Sequence, residues 1–79
     1  MNNSISLRHL QVGQRARIQS VTADGELGRR IRDMGLIPGA ELQVMGRAPL
    51  KDPVALRLNG FTLTLRNNEA DTITVTPQE

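Results

Sequence analysis

Residues 54–65, Val-Ala-Leu-Arg-Leu-Asn-Gly-Phe-Thr-Leu-Thr-Leu, contain the strongest indication of the fold. In both halves of this stretch large apolar residues alternate with small or polar ones, a period of two that is typical of half-buried β-strands. Asn59 and Gly60 separate the halves, and this dipeptide favours a type I′ turn because both residues readily adopt positive φ. The stretch therefore predicts an antiparallel hairpin, and its phase places the single aromatic residue, Phe61, on the core side.

The same alternation occurs in three further segments, at residues 15–21, 41–45 and 72–76. Turn-forming residues separate the segments: a Pro-Gly pair at 38–39, a loop flanked by prolines at 49–53, and an Asn-Asn pair at 67–68. Together with the hairpin, these segments predict five short strands.

Between the first two strands the apolar period changes to that of a helix, over residues 24–34. Leu27 and Ile31 lie four residues apart and so share one narrow helix face. Asp24 suits the N-cap position, and Gly35 suits the left-handed position after the helix. The predicted fold class is mainly β: a small five-stranded antiparallel barrel, SH3-like in preference to OB-like, with one short helix inserted after the first strand.

Length and composition point to one small domain. The 79 residues allow a single core, which we place at about residues 6–76, and the domain is expected to comprise residues 1–79. Cysteine is absent, so neither a disulfide nor a thiolate ligand or nucleophile is available. The sequence contains no apolar run near the ~20 residues that cross a bilayer. We expect a cytoplasmic protein that does not insert into the membrane.

The charge pattern does not predict a nucleic-acid partner. The pI of about 10.5 reflects a net charge of only +2, because almost nothing in the sequence titrates between neutral and high pH. Acidic residues are interspersed with the basic ones, whereas nucleic-acid binding typically needs a dense basic patch. A single aromatic residue also provides little for stacking bases.

Residues for catalysis or metal binding are scarce. His9 is the only histidine, and a transition-metal site needs several converging ligands. No nucleophile–base set or paired-carboxylate motif is evident, and whether Asp52 and Glu69 approach each other is left open. We therefore predict no catalytic residue, no metal site and no bound cofactor.

Three apolar residues and one lysine outside the strands are candidate contacts for a protein partner. Leu50 lies with Lys51 in the loop between two prolines, and a preorganised loop loses little entropy on binding. Leu36 and Ile37 follow the end of the helix, and at least one of them is expected to close the barrel instead.

Two arginines on the helix, Arg29 and Arg32, are further candidate contacts because they lie near the face opposite the apolar stripe. They would steer an acidic partner surface toward the helix. The alternative is a solvated face with helical ion pairs Glu26–Arg30 and Arg29–Asp33, in which Arg30 is also free to bond barrel carbonyl groups.

An ordered set of short motifs resembles one known family. The motifs are Arg-Ile-Arg-Asp-Met-Gly-Leu-Ile-Pro-Gly at 30–39, Ala-Pro-Leu-Lys-Asp-Pro-Val at 48–54, Leu-Thr-Leu-Arg at 63–66 with Glu-Ala at 69–70, and Ile-Thr-Val at 73–75. This arrangement, over about residues 6–76, resembles the ferrous iron transport A family. The resemblance implies an SH3-like barrel acting at the cytosolic face of a membrane Fe²⁺ transporter that carries a G-protein domain.

The expected function is therefore that of a non-enzymatic accessory of ferrous iron uptake, with the cytosolic part of the transporter as its partner. Three alternatives remain: a regulatory module of a metal-dependent transcriptional repressor, a small RNA-binding barrel, and a metal carrier. Self-association through the threonine-rich segment 72–76 is also left open.

Overall fold

The sheet predicted from the alternating segments is present, with six strands rather than five. The computed structural model describes residues 4–50 and 52–78. In chain order its elements are β1 (Ile5–Ser6), a 3-10 helix (Leu7–His9), β2 (Arg15–Val21), α1 (Gly25–Asp33), β3 (Glu41–Arg47), β4 (Val54–Leu58), β5 (Phe61–Leu65), α2 (Asn67–Ala70) and β6 (Ile73–Gln78).

All neighbouring strands pair antiparallel, in the sheet order β1-β6-β2-β3-β4-β5. The additional strand, β1, has two residues and pairs with β6. Two residues are too few to show an alternating pattern, so the sequence could not predict it. The mainly β class with a helix after the first long strand is confirmed.

The β4–β5 hairpin forms where residues 54–65 predict it. Leu58 pairs with Phe61 across the turn, and Asn59 and Gly60 have φ of 52° and 82°. Both values are positive, as a type I′ turn requires.

The core is formed by alternate residues of the strands, which share one face of the sheet. Ala16 and Ile18 of β2, Val44 of β3 and Leu56 of β4 are at most 1% exposed. Leu7 and Leu10, from the segment between β1 and β2, and Ile31 of α1 belong to the same buried cluster. Each such large aliphatic side chain contributes about 1.5–3 kcal/mol through its removal from water.

Helix α1 ends in a Schellman motif that carries the chain back into the core. Gly35 has φ of 94°, the Leu36 N–H donates to the Ile31 carbonyl at 3.2 Å, and the Gly35 N–H donates to the Arg32 carbonyl at 2.9 Å. In this motif the residue after the glycine packs against the helix, and Leu36 is indeed fully buried beside Ile31. The prediction that Leu36 contacts a partner is therefore wrong, because its side chain closes the core.

Phe61 is also placed differently from the prediction. Its phase in β5 matches that of Leu63 and Leu65, but its side chain is 73% exposed. Burial increases along β5 away from the turn, from exposed Phe61 through half-buried Leu63 to buried Leu65. Phe61 is the first residue of β5, directly after the turn, and the core does not extend to it.

Residues 67–70 form a short helix, α2, where the sequence indicated only a turn. Glu69 explains the difference, because its Oε1 accepts the Arg66 backbone N–H at 2.9 Å and so ties the first turn together. Neither α1 nor α2 has the length and apolar character to cross a membrane, and the same holds for every helix in the described part of the chain.

Candidate functional site

One groove combines exposed apolar side chains with basic ones. Four parts of the fold form it: the 3-10 helix with the turn after it, the end of β3, the 48–53 loop and the start of α2. We call it the Leu50 groove; it has a volume of about 630 Å³ and is lined by Arg8, His9, Leu10, Gln11, Val12, Arg47, Leu50 and Asn67.

Arg47 joins two of these walls. It lies at the end of β3, and its guanidinium donates to the carbonyl oxygens of Arg8 at 2.6 Å and Leu10 at 2.7 Å. The guanidinium presents several donors in one plane and therefore suits two neighbouring carbonyls. Leu10 is 1% exposed, so one of the residues that line the groove is apolar and almost fully buried.

A second network holds the 3-10 helix against the end of α2. The Ser6 hydroxyl donates to Asp71 Oδ1 at 2.8 Å and accepts the Arg8 backbone N–H at 3.2 Å. Arg8 Nη1 also lies 3.2 Å from Asp71 Oδ2. The hydrogen bond from Ser6, reinforced by Arg8, lowers the pKa of Asp71 below its ordinary value of 3.8. This carboxylate is therefore ionised at neutral pH and orients Arg8 at the groove.

The 48–53 loop is closed on itself and fastened to α2. The Ala48 N–H donates to the Pro53 carbonyl at 3.1 Å, and Asp52 Oδ1 accepts the Asn67 N–H at 3.0 Å. This loop presents Leu50, which is 90% exposed. Lys51, the other candidate contact in the loop, lies outside the described residues. Leu50 therefore has the position that a partner contact requires, and its role stays a prediction.

Asn67 has an unusual environment at the edge of the groove. Its Oδ1 is shielded from solvent, yet it has no hydrogen-bond partner. Buried polar atoms nearly always have a partner, and an unpartnered one costs roughly 1–3 kcal/mol. Because the same groove also exposes the apolar side chains of Val12 and Leu50, this oxygen is a candidate ligand contact.

The remaining predicted contact residues lie outside this groove. Ile37 is 47% exposed, and Arg29 and Arg32 are exposed on α1, but none of the three lines the Leu50 groove. The sequence thus predicted two separate surfaces, the Leu50 loop and the helix with its following turn. Their roles in binding also stay predictions.

A second, more polar groove of about 730 Å³ lies near the end of β5, lined by Arg30, Asp52, Pro53, Thr64, Arg66, Asn68 and Glu69. Glu69 Oε2 accepts from Arg30 Nη2 at 3.0 Å, and the Glu69 side chain is only 11% exposed. Arg30 thus bonds this carboxylate rather than barrel carbonyls. Asp52 and Glu69 do line one groove, but their hydrogen bonds to Asn67, Arg30 and Arg66 give both carboxylates structural roles.

Within residues 4–50 and 52–78 no three His, Cys, Asp or Glu side chains are grouped so that they would hold a metal ion. His9 is exposed and lines the Leu50 groove together with Arg8 and Arg47. The chemistry that the groove offers is apolar contact and hydrogen bonding to a ligand that carries negative charge.

Of the residues that line this groove, reasoning from the sequence identified only Leu50 as a candidate contact; Val12, Arg47 and Asn67 are among those it missed. Val12 belongs to a turn and is 59% exposed, and an apolar residue in a turn is the signal that would have indicated it. No sequence signal distinguishes Arg47 or Asn67, because their contacts are with groups distant along the chain: the Arg8 carbonyl for Arg47 and the Asp52 carboxylate for Asn67.

Comparison with known proteins assigns the chain to a family. A family model described as the FeoA domain matches residues 5–77. A relative from Porphyromonas gingivalis (strain ATCC BAA-308 / W83), named Fe(2+) transport protein A/Fe(2+) transporter FeoB fusion protein, is 36% identical over 69 residues. The match covers 87% of this chain, and the chain spans only 8% of the length of that relative.

Solved structures agree with the family match. The FeoA protein from Chlorobium tepidum is 44% identical, with a TM-score of 0.88 over 95% of this chain and 71% of its own. A FeoA from Stenotrophomonas maltophilia, solved with zinc and described as a prokaryotic SH3 domain protein, has a TM-score of 0.82. It is 23% identical and covers 95% of this chain and 96% of its own, a likeness that confirms the SH3-like fold. The match over residues 5–77 and these relatives show that the chain belongs to the FeoA domain family, which is linked to ferrous iron transport.

Proposed function

We propose that this chain is a non-enzymatic, cytoplasmic accessory of ferrous iron uptake that binds the cytosolic part of a membrane Fe²⁺ transporter. The observation that carries the proposal is the fused relative, in which transport protein A and the transporter form one polypeptide. Covalent linkage raises the effective concentration of one module at the other, which benefits a pair that functions in contact.

In this proposal iron passes through the partner, and the accessory acts by binding alone. A bound protein shifts the gating or assembly of a transporter only if it binds one of the transporter's states more tightly than another. The effect on transport therefore depends on a docking surface, and the Leu50 groove is the surface with the most suitable composition.

Leu50 is the first residue to test. It is 90% exposed, so its side chain gains the full benefit of burial when a partner covers it. Burial of a leucine is worth about 1.5–3 kcal/mol, and its loss weakens binding roughly tenfold to a hundredfold. Leu50→Asp adds the cost of desolvating a carboxylate, so we expect at least this loss.

The test is co-purification of the tagged chain with the transporter from detergent-solubilised membranes of cells grown in low iron. Phe61→Asp is a matched control, because Phe61 is also a large exposed apolar residue but lies outside the groove. We expect the wild type and Phe61→Asp to retain the transporter and Leu50→Asp to lose it, with thermal midpoints near that of the wild type. Failure of the wild type to retain the transporter would refute the proposal.

The alternative functions give different results in the same preparations. A small RNA-binding barrel would retain RNA with a steep dependence on salt, because each phosphate contact releases counterions. A repressor module would instead co-purify with a metal-dependent DNA-binding protein.

A further inference from the structure

We propose that the Leu50 groove binds an extended acidic peptide segment that inserts one apolar side chain and donates a backbone N–H to the Asn67 carboxamide. This inference deepens the proposed function. It rests on that function only in naming the source of the segment, which is the cytosolic part of the transporter. Three independent features of the groove support it: its apolar pair, its charge and its unpartnered amide oxygen.

The apolar pair is Val12 and Leu50. They come from the turn after the 3-10 helix and from the 48–53 loop, and they are 59% and 90% exposed. Both line the same groove, and the buried Leu10 also lines it. A volume of about 630 Å³ lies within the usual range for small-ligand sites and suits one side chain with its adjacent peptide units.

The charge of the groove selects the flanking residues of the segment. Arg8 and Arg47 line it, and none of its described lining residues is Asp or Glu. Asp71 pairs directly with Arg8 and does not line the groove, so it offsets part of this charge from outside the lining. The groove therefore attracts aspartate or glutamate beside the inserted apolar side chain of the segment, and it repels lysine or arginine there.

The amide oxygen of Asn67 indicates that the ligand supplies an N–H. The backbone of Asn67 is held by Asp52, but its Oδ1 is shielded and unpartnered in the free protein. In the proposed complex the carboxamide turns about its side-chain bonds to accept the peptide N–H. Binding thus provides the hydrogen bond that the free protein lacks.

These features also exclude a polyproline ligand for this groove. Proline has no backbone N–H to donate, and grooves that read polyproline are lined with aromatic side chains. Phe61 is the only Phe, Tyr or Trp residue in the sequence, and it does not line the groove.

The test is a titration of the isotope-labelled full chain, followed by amide chemical shifts, with two short synthetic peptides. Each peptide is acetylated and amidated and has one central leucine, flanked by aspartates in one and by lysines in the other. We expect the aspartate peptide to shift the amides of Val12, Leu50 and Asn67, and the lysine peptide to leave them unchanged. Leu50→Asp should lose binding of the aspartate peptide, and Phe61→Asp should retain it.

Asn67→Leu separates the amide contact from the other two features. The variant removes an unpartnered buried oxygen, so we expect a thermal midpoint equal to or above that of the wild type. It also removes the acceptor for the peptide, so we expect binding to weaken about tenfold. A simple loss of structure would lower both stability and affinity, whereas this proposal predicts that they change in different directions.

Three results would overturn the inference: no shifts at millimolar aspartate peptide, equal shifts with both peptides, or unchanged affinity in Asn67→Leu. Its failure is distinct from failure of the proposed function. If the wild type retains the transporter but the peptides do not bind, only the groove assignment is wrong. If the aspartate peptide binds but the transporter is not retained, only the identity of the partner is wrong.

Discussion

Replacement of Gly28 by alanine tests the packing of helix α1, because local propensity and tertiary contact predict opposite signs. Gly28 lies inside α1, where alanine is more favourable than glycine by about 1 kcal/mol. In the structure, however, a Cβ at this position would lie 2.5 Å from the Ala23 carbonyl oxygen and 2.9 Å from its carbon. Real Cβ atoms essentially never approach so closely, so either the helix or the preceding backbone must shift.

The size of the destabilisation expected for Gly28→Ala depends on which of the atoms close to the added Cβ can move. The third close atom, Arg32 Nη2 at 2.9 Å, belongs to a flexible exposed side chain and can turn aside. The Ala23 carbonyl is backbone, and Ala23 is only 9% exposed. Overpacking of this kind costs about 1–3 kcal/mol, with a backbone clash at the upper end. The higher helix propensity of alanine offsets part of this cost, so we expect a net decrease of about 1–2 kcal/mol in the free energy of unfolding, or roughly 4–16 °C in thermal midpoint.

The assay is thermal unfolding followed by far-UV circular dichroism, with Gly46→Ala as the matched control. A Cβ at Gly46 meets nothing within 4 Å, so alanine there should be neutral or stabilising by up to about 1 kcal/mol. A thermal midpoint for Gly28→Ala equal to or above that of the wild type would show that α1 does not pack against Ala23 as described.

Two further predictions concern the packing of the core and the decrease of stability at low pH. Leu36→Ala should lower the free energy of unfolding by about 2–5 kcal/mol because it leaves a cavity at a fully buried site. Ile37→Ala, at an exposed site, should change that free energy by less than ~0.5 kcal/mol. Urea titrations of both variants check this, and equal losses would contradict the burial of Leu36. The pKa of Asp71 is lowered by its hydrogen bond from Ser6, and that of Glu41 by its hydrogen bond from Arg17. A carboxylate whose pKa is lower in the folded than in the unfolded protein stabilises the fold at pH values above its unfolded-state pKa. This stabilisation is lost as the pH falls through the folded-state pKa. The thermal midpoint should therefore hold from neutral pH to about pH 5 and fall below about pH 4. Asp71→Asn should flatten this fall, and an unchanged acid profile would count against the interaction.

The local pattern was sufficient for most of the secondary structure. Alternation along 54–65 and the Asn59-Gly60 pair identify a hairpin without reference to the rest of the chain, because turn type and strand period are local properties. The same holds for α1, whose N-cap position at Asp24 and glycine stop at Gly35 are both found in the structure. Asp24 makes no side-chain capping bond, so its position was predictable and its contact was not.

Errors arose where burial depends on what covers a residue. Phe61 has the correct phase but lies at the turn end of the last strand, and phase does not reveal where the core ends. Leu36 could have been placed correctly, since a glycine stop followed by an apolar residue is typical of the Schellman motif. The prediction used the glycine without the packing that follows it.

The sequence by itself determined the mainly β class, the short helix, the family and the exposed Leu50 loop, since these depend on residue types at short spacing. The tertiary structure alone decided that Val12, Arg47 and Asn67 join Leu50 in one groove. These residues lie up to 55 positions apart; Arg47 bonds backbone carbonyl groups, and Asn67 donates its backbone N–H to the Asp52 carboxylate. A spacing pattern carries no information about such contacts, so only the folded chain shows them.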